Sequence, residues 1–513
     1  MATLNWIGKE AVVNHDKEVP FKLLKKVKGA SVGEQSQNLI IHGDNLEALK
    51  ALMPHYVGKV KCIYIDPPYN TGNEGWVYND KVNSPKIRQW LGKVVGREKE
   101  DLTRHDKWLC MMYPRLKLLK DLLTDDGTIF VSIDDHEHCN LRMLMDEVFG
   151  EENFVANIIW QKKYTQSNDA KYFSDTHDFV VAFAKQIDKF KVRKLARTDE
   201  QNARYQNPDN DKNGPWMSQP LHAKSGSDTT YSYVFKNGVR WSPPNGTFPR
   251  YAKATLETAE EDGRIWFGAQ GTAVPRMKKY LSEMSEGVVP RTLWLYTEVG
   301  SNDDAKRDIK TLFDANPFES PKPVSLIKRI IELCADDDSI IFDSFAGSGT
   351  TGHAVLDLNK EDGGSRRFVL VEMEDKVAKD ITAERVKRAI KKYDYKDGFE
   401  YCELDKPLFN ERGQIEETCD FKQFATYIYF TETQTNIDAK KISGNFIGEL
   451  GDAEYYLLYK GKLKNDLDKS ALKIITDSKK RKVIYADRCL LNEDELTRYN
   501  ITFKQIPYEV KVY

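Results

Sequence analysis

Apolar residues between positions 38 and 65 form two continuous runs with an amphipathic segment between them. The first run lies in "NLIIHGDNLEALKAL", where Gly43-Asp44-Asn45 follows the strand-like residues and helical spacing of apolar residues comes next. The second run is "KVKCIYID". Continuous apolar strands separated by helices are typical of a parallel sheet that helices cover on both faces. This stretch therefore predicts a strand, a helix and a strand of an α/β fold.

The same pattern returns further along the chain. Helical spacing at 108–123 precedes a strand at 126–135, and a helix near 139–149 precedes two strand-like runs, "NFVANIIWQKK" and "DFVVAFAK". A helix and a strand follow at 323–342, and the strand "RRFVLVEM" comes after a Gly-rich turn and another helix. The predicted fold class is α/β, with a doubly wound, mostly parallel, Rossmann-like sheet. The polar stretch 73–105 has few apolar anchors and predicts a long loop.

Two segments depart from this pattern. Residues 187–312 are rich in Asn, Gly, Pro, Ser, basic and aromatic residues without sustained periodicity, and alternating segments from 396 predict a small α+β module. A chain of 513 residues is too long for one core. The predicted ranges are 1–35 (an N-terminal extension), 36–186 and 313–395 (two halves of the α/β domain), 187–312 (an insert) and 396–513 (the C-terminal module).

Composition narrows the class of protein without naming it. The net charge of −2 gives no global sign of nucleic-acid binding, so any basic surface must be local. No apolar run is long enough to predict a membrane span, and the N-terminus is too polar for a signal peptide. Seven scattered cysteines without a CxxC pair are typical of reduced thiols in a cytoplasm.

The first chemical motif is "KCIYIDPPYNTG" at residues 61–72, where an apolar strand ends in an acid, two prolines and a tyrosine. Prolines usually end strands, so a Pro-terminated strand with a solvent-facing Asp66 is one interpretation. The second motif is "IFDSFAGSGTTG" at 341–352, which matches the dinucleotide fingerprint G-x-G-x-x-G and precedes Glu372 by 20 residues. It indicates close backbone approach to a nucleoside ligand but does not choose among NAD, FAD and S-adenosylmethionine. A tight turn without a ligand is the plainer alternative.

Together the two motifs resemble those of amino-methyltransferases that modify exocyclic nitrogens of DNA bases. The acid-Pro-Pro-Tyr motif precedes the F-x-G-x-G motif, which is the permuted order of the β class. Within that class, five stretches resemble the Mod subunits of type III restriction–modification systems: "IIHGDNLEAL", "YIDPPYNTGN", "DDGTIFVSIDDHE", "FVANIIWQKK" and "FDANPFESPKPVSLIKRII". The resemblance covers roughly 36–190 and 290–395. It implies a circularly permuted methyltransferase sheet with a target-recognition insert at 187–312.

The resemblance implies that Asp66, Pro67, Pro68 and Tyr69 are catalytic. Adenine N6 is a poor nucleophile because its lone pair is delocalised into the ring. The Asp66 carboxylate and the Pro67 carbonyl can accept both N6 hydrogens, and two prolines hold these acceptors rigidly. Tyr69 offers a face on which an extruded base can stack. Positioning and electrostatics would supply most of the rate.

The resemblance also implies S-adenosylmethionine as cofactor, and it indicates residues in four parts of the chain. These residues are Asp44, Lys322, Asp343, Phe345, Ala346, Gly347, Ser348, Gly349, Thr350 and Glu372. Glu372 would bond the ribose, and Ser348 to Thr350 begin a helix whose amides suit the cofactor carboxylate. Asp44 matches the position that bonds the adenine amino group, although a helix N-cap fits it equally well. Lys322 would reach the carboxylate or would be a surface lysine.

Two further segments contain residue types that bind metal ions or nucleic acids. "DDHEHC" at 134–139 suggests metal ligands, but no second cluster accompanies it, so acidic capping of a helix is favoured and no metal is predicted. In the insert, basic residues are interleaved with aromatics and are expected to contact phosphates and stack on bases, although a solvated basic loop region would have a similar composition. The basic residues are Arg193, Lys194, Arg197, Arg204, Lys224, Lys236, Arg240 and Arg250, and the aromatics are Tyr205, Trp216, Tyr231, Tyr233, Trp241 and Tyr251.

The predicted function is therefore S-adenosylmethionine-dependent adenine-N6 methylation of double-stranded DNA by base flipping, in a prokaryotic or phage cytoplasm. Expected partners are duplex DNA, a second copy of the chain and a helicase–nuclease restriction subunit, with no membrane. Asp rather than Ser before Pro-Pro-Tyr favours adenine over cytosine N4. A solitary DNA methyltransferase and a methyltransferase acting on RNA or protein glutamine remain alternatives. An NAD oxidoreductase would leave the "DPPY" motif unexplained.

Overall fold

A computed structural model describes residues 4–33, 36–71, 104–228, 231–284, 287–409, 415–416, 419–437, 441–461, 464–475 and 479–507. The long loop that the sequence predicts at 73–105 lies outside these ranges except for its last two residues. Those two residues already belong to the helix Arg104–Leu122.

The strands alternate with helices through most of the chain. The strands are β1 (Lys22–Lys26), β2 (Leu39–His42), β3 (Val60–Ile65), β4 (Leu123–Ile133), β5 (Phe154–Gln161), β6 (His177–Ala184), β7 (Trp216–Pro220), β8 (His222–Ala223), β9 (Tyr233–Val234), β10 (Arg240–Trp241), β11 (Phe248–Pro249), β12 (Ile265–Trp266), β13 (Arg276–Tyr280), β14 (Leu293–Trp294), β15 (Ile340–Asp343), β16 (Arg367–Glu372), β17 (Glu400–Pro407), β18 (Phe446–Leu450), β19 (Ala453–Leu457), β20 (Asp466–Leu467), β21 (Arg481–Ala486), β22 (Arg488–Cys489) and β23 (Ile501–Gln505). The α-helices are Lys9–Val12, His15–Glu18, Asn45–Tyr56, Arg104–Leu122, His138–Phe149, Asp199–Asn202, Lys253–Glu261, Tyr296–Val299, Asn302–Lys310, Val324–Cys334, Thr350–Asp362, Asp375–Val377, Glu384–Tyr393, Phe421–Thr433 and Glu493–Arg498.

Ten of these strands form one central sheet in the order β1-β17-β2-β16-β15-β3-β4-β6-β5-β14. The six strands from β17 to β4 in this order are parallel, whereas β1 and β6 run antiparallel to their neighbours. From β15 the chain continues to β16 on one side, and from β3 it continues to β4 on the other. The strand order therefore reverses between β15 and β3, which makes this pair the switch point of the sheet. The prediction of a doubly wound, mostly parallel α/β fold is confirmed.

Helices cover both faces of this sheet, and the side chains of β3 divide between them. Ile63 and Ile65 belong to a buried cluster that includes residues from the helices Asn45–Tyr56 and Arg104–Leu122. Cys62 instead interacts with Cys334, at the end of the helix Val324–Cys334. This two-sided burial explains why the strand reads as a continuous apolar run.

Residues Arg193–Pro290 form a compact unit of their own. Short antiparallel strands and the helix Lys253–Glu261 surround a core that includes Leu221, Phe235, Leu256 and Met277. The expectation that this unit's aromatics stack on bases is wrong for Tyr205, Trp216, Tyr231 and Trp241, which are at most 9% exposed. These rings supply a small unit with the apolar area that its short strands lack.

The basic residues of this unit behave differently from its rings. Seven of the eight that the sequence indicates are exposed, and Arg197 is half-buried. An exposed cationic surface is what phosphate contact requires, so this part of the expectation remains a prediction.

The structure differs from the predicted ranges at both ends of the central domain. β1 and β17 join the central sheet, so residues 22–26 and 400–407 belong to that domain rather than to an extension or a tail. The C-terminal α+β module begins after β17. In it the helix Phe421–Thr433 packs on the sheet β18-β19-β21-β23. Within the described ranges, no helix combines the length and the apolar character that crossing a membrane requires.

Candidate active site

The two motifs meet at the switch point of the sheet. β3 and β15 are parallel neighbours, with Cys62 paired to Ile341 and Ile63 paired to Phe342. Their carboxyl ends therefore lie side by side and carry Asp66 and Asp343. A cavity of about 240 Å³ opens there. Its lining comprises Tyr64, Asp66, Pro68, Phe318, Ser320, Pro321, Lys322, Asp343, Phe345, Ala346, Gly347, Ser348, Thr350, Thr351, Glu372, Met373, Glu374 and Val377.

Most of the predicted site residues thus share one cavity, and a few do not. Among the predicted catalytic residues, Pro67 and Tyr69 lie beside the cavity rather than in its lining, and among the cofactor residues Gly349 and Asp44 are outside it. Phe318, on the other hand, lines the cavity and was not predicted, although it lies in the quoted stretch "NPFESPKP".

The turn after β3 is held by side chains that the sequence did not single out. Trp108 Nε1 donates to the Pro68 carbonyl at 2.8 Å. Asn70 has a left-handed φ of 59° and donates through Nδ2 to the Arg104 carbonyl at 3.1 Å and to Glu137 Oε1. Hydrogen bonds to the buried side chains of Trp108 and Glu137 therefore hold the turn in place.

Glu137 corrects the expectation for "DDHEHC". The residue is fully buried at the N-cap of the helix His138–Phe149, yet its side chain makes no capping bond. Its carboxylate instead accepts from Asn70 and from His105 Nδ1, the latter at 2.7 Å. Among the residues that the structure describes, no cluster of three or more His, Cys, Asp and Glu could hold a metal ion.

The Asp66 carboxylate has one paired and one unpaired oxygen. Oδ2 bonds the ammonium of Lys322, and Oδ1 is buried without a hydrogen-bond partner among the described residues. The same ammonium lies 5.1 Å from the centre of the Tyr69 ring. A buried carboxylate oxygen without a partner is costly, so this atom is suited to accept a bond from a ligand. Lys322, for which the sequence left open a contact with the cofactor carboxylate or a place on the surface, pairs here with Asp66.

Tyr69 adjoins a second group of charges. Its hydroxyl lies 3.5 Å from Asp178 Oδ2, and burial together with the Asp66 and Asp178 charges raises the pKa of this phenol well above its ordinary value. Lys162 Nζ donates to Asp178 Oδ1 at 2.6 Å and to Asp175 Oδ2 at 2.8 Å. Burial raises the pKa of Asp178, and the Lys162 ammonium opposes that shift. These ion pairs therefore hold the end of β5 to the start of β6 beside Tyr69.

The Gly-rich loop after β15 has a backbone that only glycine adopts easily. Gly347 and Gly349 have φ values of +48° and +75°. A Cβ on Gly349 would lie 2.8 Å from the Thr382 carbonyl oxygen, so a side chain there would force the loop apart. The backbone geometry of this loop therefore favours glycine at both positions.

Asp343 supports this loop from inside the protein. Its Oδ1 accepts from the Phe345 amide at 3.0 Å, and its Oδ2 accepts from the Thr351 hydroxyl at 2.5 Å. Burial raises the pKa of Asp343 to about 7, and the nearby Asp66 and Glu372 charges add to the shift. Asp343 is 2% exposed, which suits orientation of the loop.

Glu372, at the end of β16, keeps capacity for a ligand. Oε2 accepts from the Gly347 amide at 2.8 Å, and Oε1 accepts from the amides of Met373 at 2.9 Å and Glu374 at 3.0 Å. A carboxylate offers about four lone-pair positions, so three amides leave room for a further donor. Burial raises the pKa of Glu372.

Arg385 lies fully buried behind the loop. Nη1 donates to Ser348 Oγ at 2.9 Å and to Thr350 Oγ1 at 2.7 Å, and Thr350 Oγ1 in turn donates to the Lys322 carbonyl at 3.1 Å. Burial lowers the pKa of Arg385 to about 10. The guanidinium therefore adds positive charge at the N-terminus of the helix Thr350–Asp362, where an anionic group would be stabilised.

Asp44 is a helix N-cap. Its Oδ1 accepts from the Leu46 amide at 2.9 Å and from the Glu47 amide at 3.0 Å. This confirms the capping role, while a contact of Asp44 with a ligand stays a prediction.

Asp66, which two prolines follow, lies beside the Gly-rich loop and precedes it in the chain. This order of motifs on a Rossmann-like sheet is that of the permuted methylases. The chain belongs to the DNA methylase family, whose sequence profile matches residues 60–384.

Two relatives and one solved structure illustrate the range of similarity. The type III restriction-modification enzyme StyLTI Mod subunit of Salmonella typhimurium is 34% identical over 420 residues, covering 79% of this chain and 62% of that protein. The EcoPI Mod subunit of Escherichia phage P1 is 31% identical over 455 residues, covering 76% of this chain and 68% of that protein. The solved PvuII DNA methyltransferase (cytosine-N4-specific) is 13% identical, covering 70% of this chain and 92% of that one with a TM-score of 0.36. This chain therefore spans less than two thirds of the StyLTI subunit.

Proposed function

We propose that the protein is a site-specific DNA methyltransferase that transfers a methyl group from S-adenosylmethionine to adenine N6 in duplex DNA. The observation that carries the proposal is the shared cavity, which is lined both by Asp66, whose Oδ1 has no hydrogen-bond partner among the described residues, and by residues of the Gly-rich loop. Acceptors for an amine and a cradle for a nucleoside cofactor are thus next to each other, as methyl transfer requires.

The residues of the turn would prepare the amine. Asp66 Oδ1 and the Pro67 carbonyl accept the two N6 hydrogens and hold the nitrogen lone pair toward the cradle. Tyr69 provides the ring against which the extruded base rests. Because the nitrogen becomes acidic only after it has been alkylated, Asp66 holds and then receives a proton rather than removing one from a neutral amine. The bond that forms joins the nitrogen to the methyl carbon, and the bond that breaks joins that carbon to sulfur.

The cofactor, when bound, supplies an electrophilic methyl group on a sulfonium. Glu372 would bond its ribose hydroxyls with the remaining lone pair. Ser348 and the first amides of the helix Thr350–Asp362 would bond its carboxylate, with Arg385 adding charge behind them. Phe345, Ala346 and Gly347 would pack along its length. The fit is supported by the glycine φ values, by the donors around Ser348 and by the free capacity of Glu372.

Incubation of the purified protein with labelled cofactor and genomic DNA tests the proposal. N6-methyladenine is the expected product, and N4-methylcytosine alone would overturn the base assignment. Single-molecule sequencing of DNA from expressing cells should reveal one methylated sequence. Transfer to RNA or protein but not to DNA would overturn the substrate class.

The assignment to a type III system is supported by the relatives that are Mod subunits. On this proposal the protein acts in a prokaryotic or phage cytoplasm as a dimer and specifies sites for a restriction subunit. Light scattering of the purified chain should give twice the chain mass of 59.1 kDa. A monomer with full methylation activity would instead favour a solitary methyltransferase.

A further inference from the structure

The loop between β5 and β6, residues 162–176, exposes two aromatic side chains at one end. Phe173 is 96% exposed and Tyr172 is 82% exposed, more than any other large hydrophobic residue among those described. Large rings usually bury most of their surface, and rings that stay this exposed commonly mark a contact with a partner.

The base of the loop is fastened beside the catalytic turn. The amides of Lys162 and Lys163 donate to the Thr176 carbonyl at 3.0 and 3.2 Å, which closes the hairpin. The Lys162 ammonium joins Asp175 to Asp178, and Asp178 lies next to the Tyr69 hydroxyl. Both ends of the loop are therefore connected through Asp178 to Tyr69, the ring proposed to receive the base.

The loop itself has a definite shape and a cationic edge. The Ser167 amide donates across it to Ser174 Oγ at 2.8 Å, directly beside the aromatic pair. Lys163 and Lys171 are exposed, and the Lys171 ammonium lies 5.2 Å from the centre of the Tyr172 ring. Exposed rings flanked by lysines suit a stacked, polyanionic partner better than an apolar protein surface.

We propose that this loop enters the DNA duplex at the target base pair and that Phe173, with Tyr172 beside it, stacks in the space that the extruded base leaves. The inference rests on the proposed function. Extrusion of a base removes stacking from its neighbours, and an inserted aromatic side chain replaces that stacking. The fastened base of the loop would bring the rings to the duplex when Tyr69 receives the base.

Phe173→Ala tests the proposal, with Phe173→Trp as the conservative variant and Tyr499→Ala, at a 40% exposed ring of the C-terminal module, as the matched control. The substrate is a duplex that carries the sequence methylated by the wild-type protein. Because base stacking on a ring is worth roughly one to two factors of ten, kcat/KM of Phe173→Ala should fall about tenfold or more. Phe173→Trp and Tyr499→Ala should retain wild-type values.

A second duplex separates insertion from a merely structural role. In it the nucleotide opposite the target lacks a base, so the target base leaves the stack readily. Phe173→Ala should recover to within about threefold of wild type on this duplex, as expected when its defect lies in unstacking. Equal losses on both duplexes, or full activity on the paired duplex, would overturn the proposal. A changed molecular mass in light scattering with unchanged methylation would overturn it too, in favour of a contact between chains. If the wild-type protein methylates no DNA, it is the proposed function that fails.

Discussion

Replacement of Asp66 by Asn removes the carboxylate proposed to be catalytic with the least change in shape. An amide has one acceptor oxygen, whereas Asp66 has one oxygen on the Lys322 ammonium and one buried oxygen that we propose accepts from the target amine. Whichever way the amide turns, its NH2 group faces a donor, either the ammonium or the amine. Loss of one positioned acceptor in a buried site costs about 10²–10³ in rate, roughly 3–4 kcal/mol. We therefore expect the single-turnover methylation rate of Asp66→Asn to fall by about that factor.

Cofactor binding gives the contrast that makes this prediction specific. Asp66 bonds Lys322 and, among the residues that the structure describes, makes no hydrogen bond to the Gly-rich loop, so the affinity for S-adenosylhomocysteine in calorimetry should stay within about threefold. Asp188→Asn applies the same change to an exposed carboxylate and should leave both quantities unchanged. A rate above about one tenth of wild type would refute the reasoning, and a parallel loss of cofactor affinity would assign Asp66 to the cofactor instead.

Three further predictions concern the surroundings of the site. Lys162→Met leaves a buried carboxylate without its cation and should lower the free energy of unfolding in urea by about 3 kcal/mol, whereas Lys189→Met at an exposed pair should leave it unchanged. Gly349→Ala should lower the free energy of unfolding by about 1–3 kcal/mol more than Gly363→Ala does. Both glycines have φ +75°, but only a Cβ on Gly349 would lie 2.8 Å from a backbone oxygen. Equal denaturant midpoints of the two variants would contradict this prediction. The pKa of Asp343 is raised to about 7 from 3.8, so the protonated carboxyl stabilises the folded state relative to the unfolded chain. This stabilisation is complete below about pH 4 and is lost as the pH rises through about 7. The melting temperature should therefore decrease more between pH 5 and pH 8 for the wild-type protein than for Asp343→Asn. Equal decreases in the two proteins would contradict the prediction.

Hydrogen bonds from buried side chains fix the orientation of the turn after β3, which carries Asp66 and the Pro67 carbonyl. Two prolines stiffen the turn itself, but they do not decide where it points. Trp108 and the buried pair of Asn70 and Glu137 fix that direction through hydrogen bonds to the turn. In the proposed mechanism, rigid placement of this kind would allow the weakly basic Asp66 carboxylate to act by positioning the amine.

The fold and the adjacency of the two motifs could be predicted from sequence because both follow from local patterns and one topological rule. Continuous apolar strands between amphipathic helices indicate a parallel sheet, and ligands bind at the carboxyl ends of strands where strand order reverses. "DPPY" and "FAGSG" each follow such a strand. About 280 residues of sequence between them therefore did not hide the site.

The sequence was a poorer guide to the roles of individual side chains away from the motifs. Trp216 and Trp241 lie among basic residues, which favoured a surface role, but the insert buries them. Nothing in the periodicity of "DDHEHC" indicated that Glu137 would bond Asn70.

The sequence by itself thus determined the class of fold and the order of the motifs, since each depends on neighbours a few positions away. The residues proposed to carry the chemistry were also predicted from these local motifs. Only the tertiary structure decided that Lys322 pairs with Asp66, 256 residues earlier, and that Arg385 lies under Ser348. The physical reason is that a charged side chain specifies what kind of partner it needs, but not which one. That choice depends on how strands and helices far apart in sequence pack, and on the cost of leaving a buried charge unpaired.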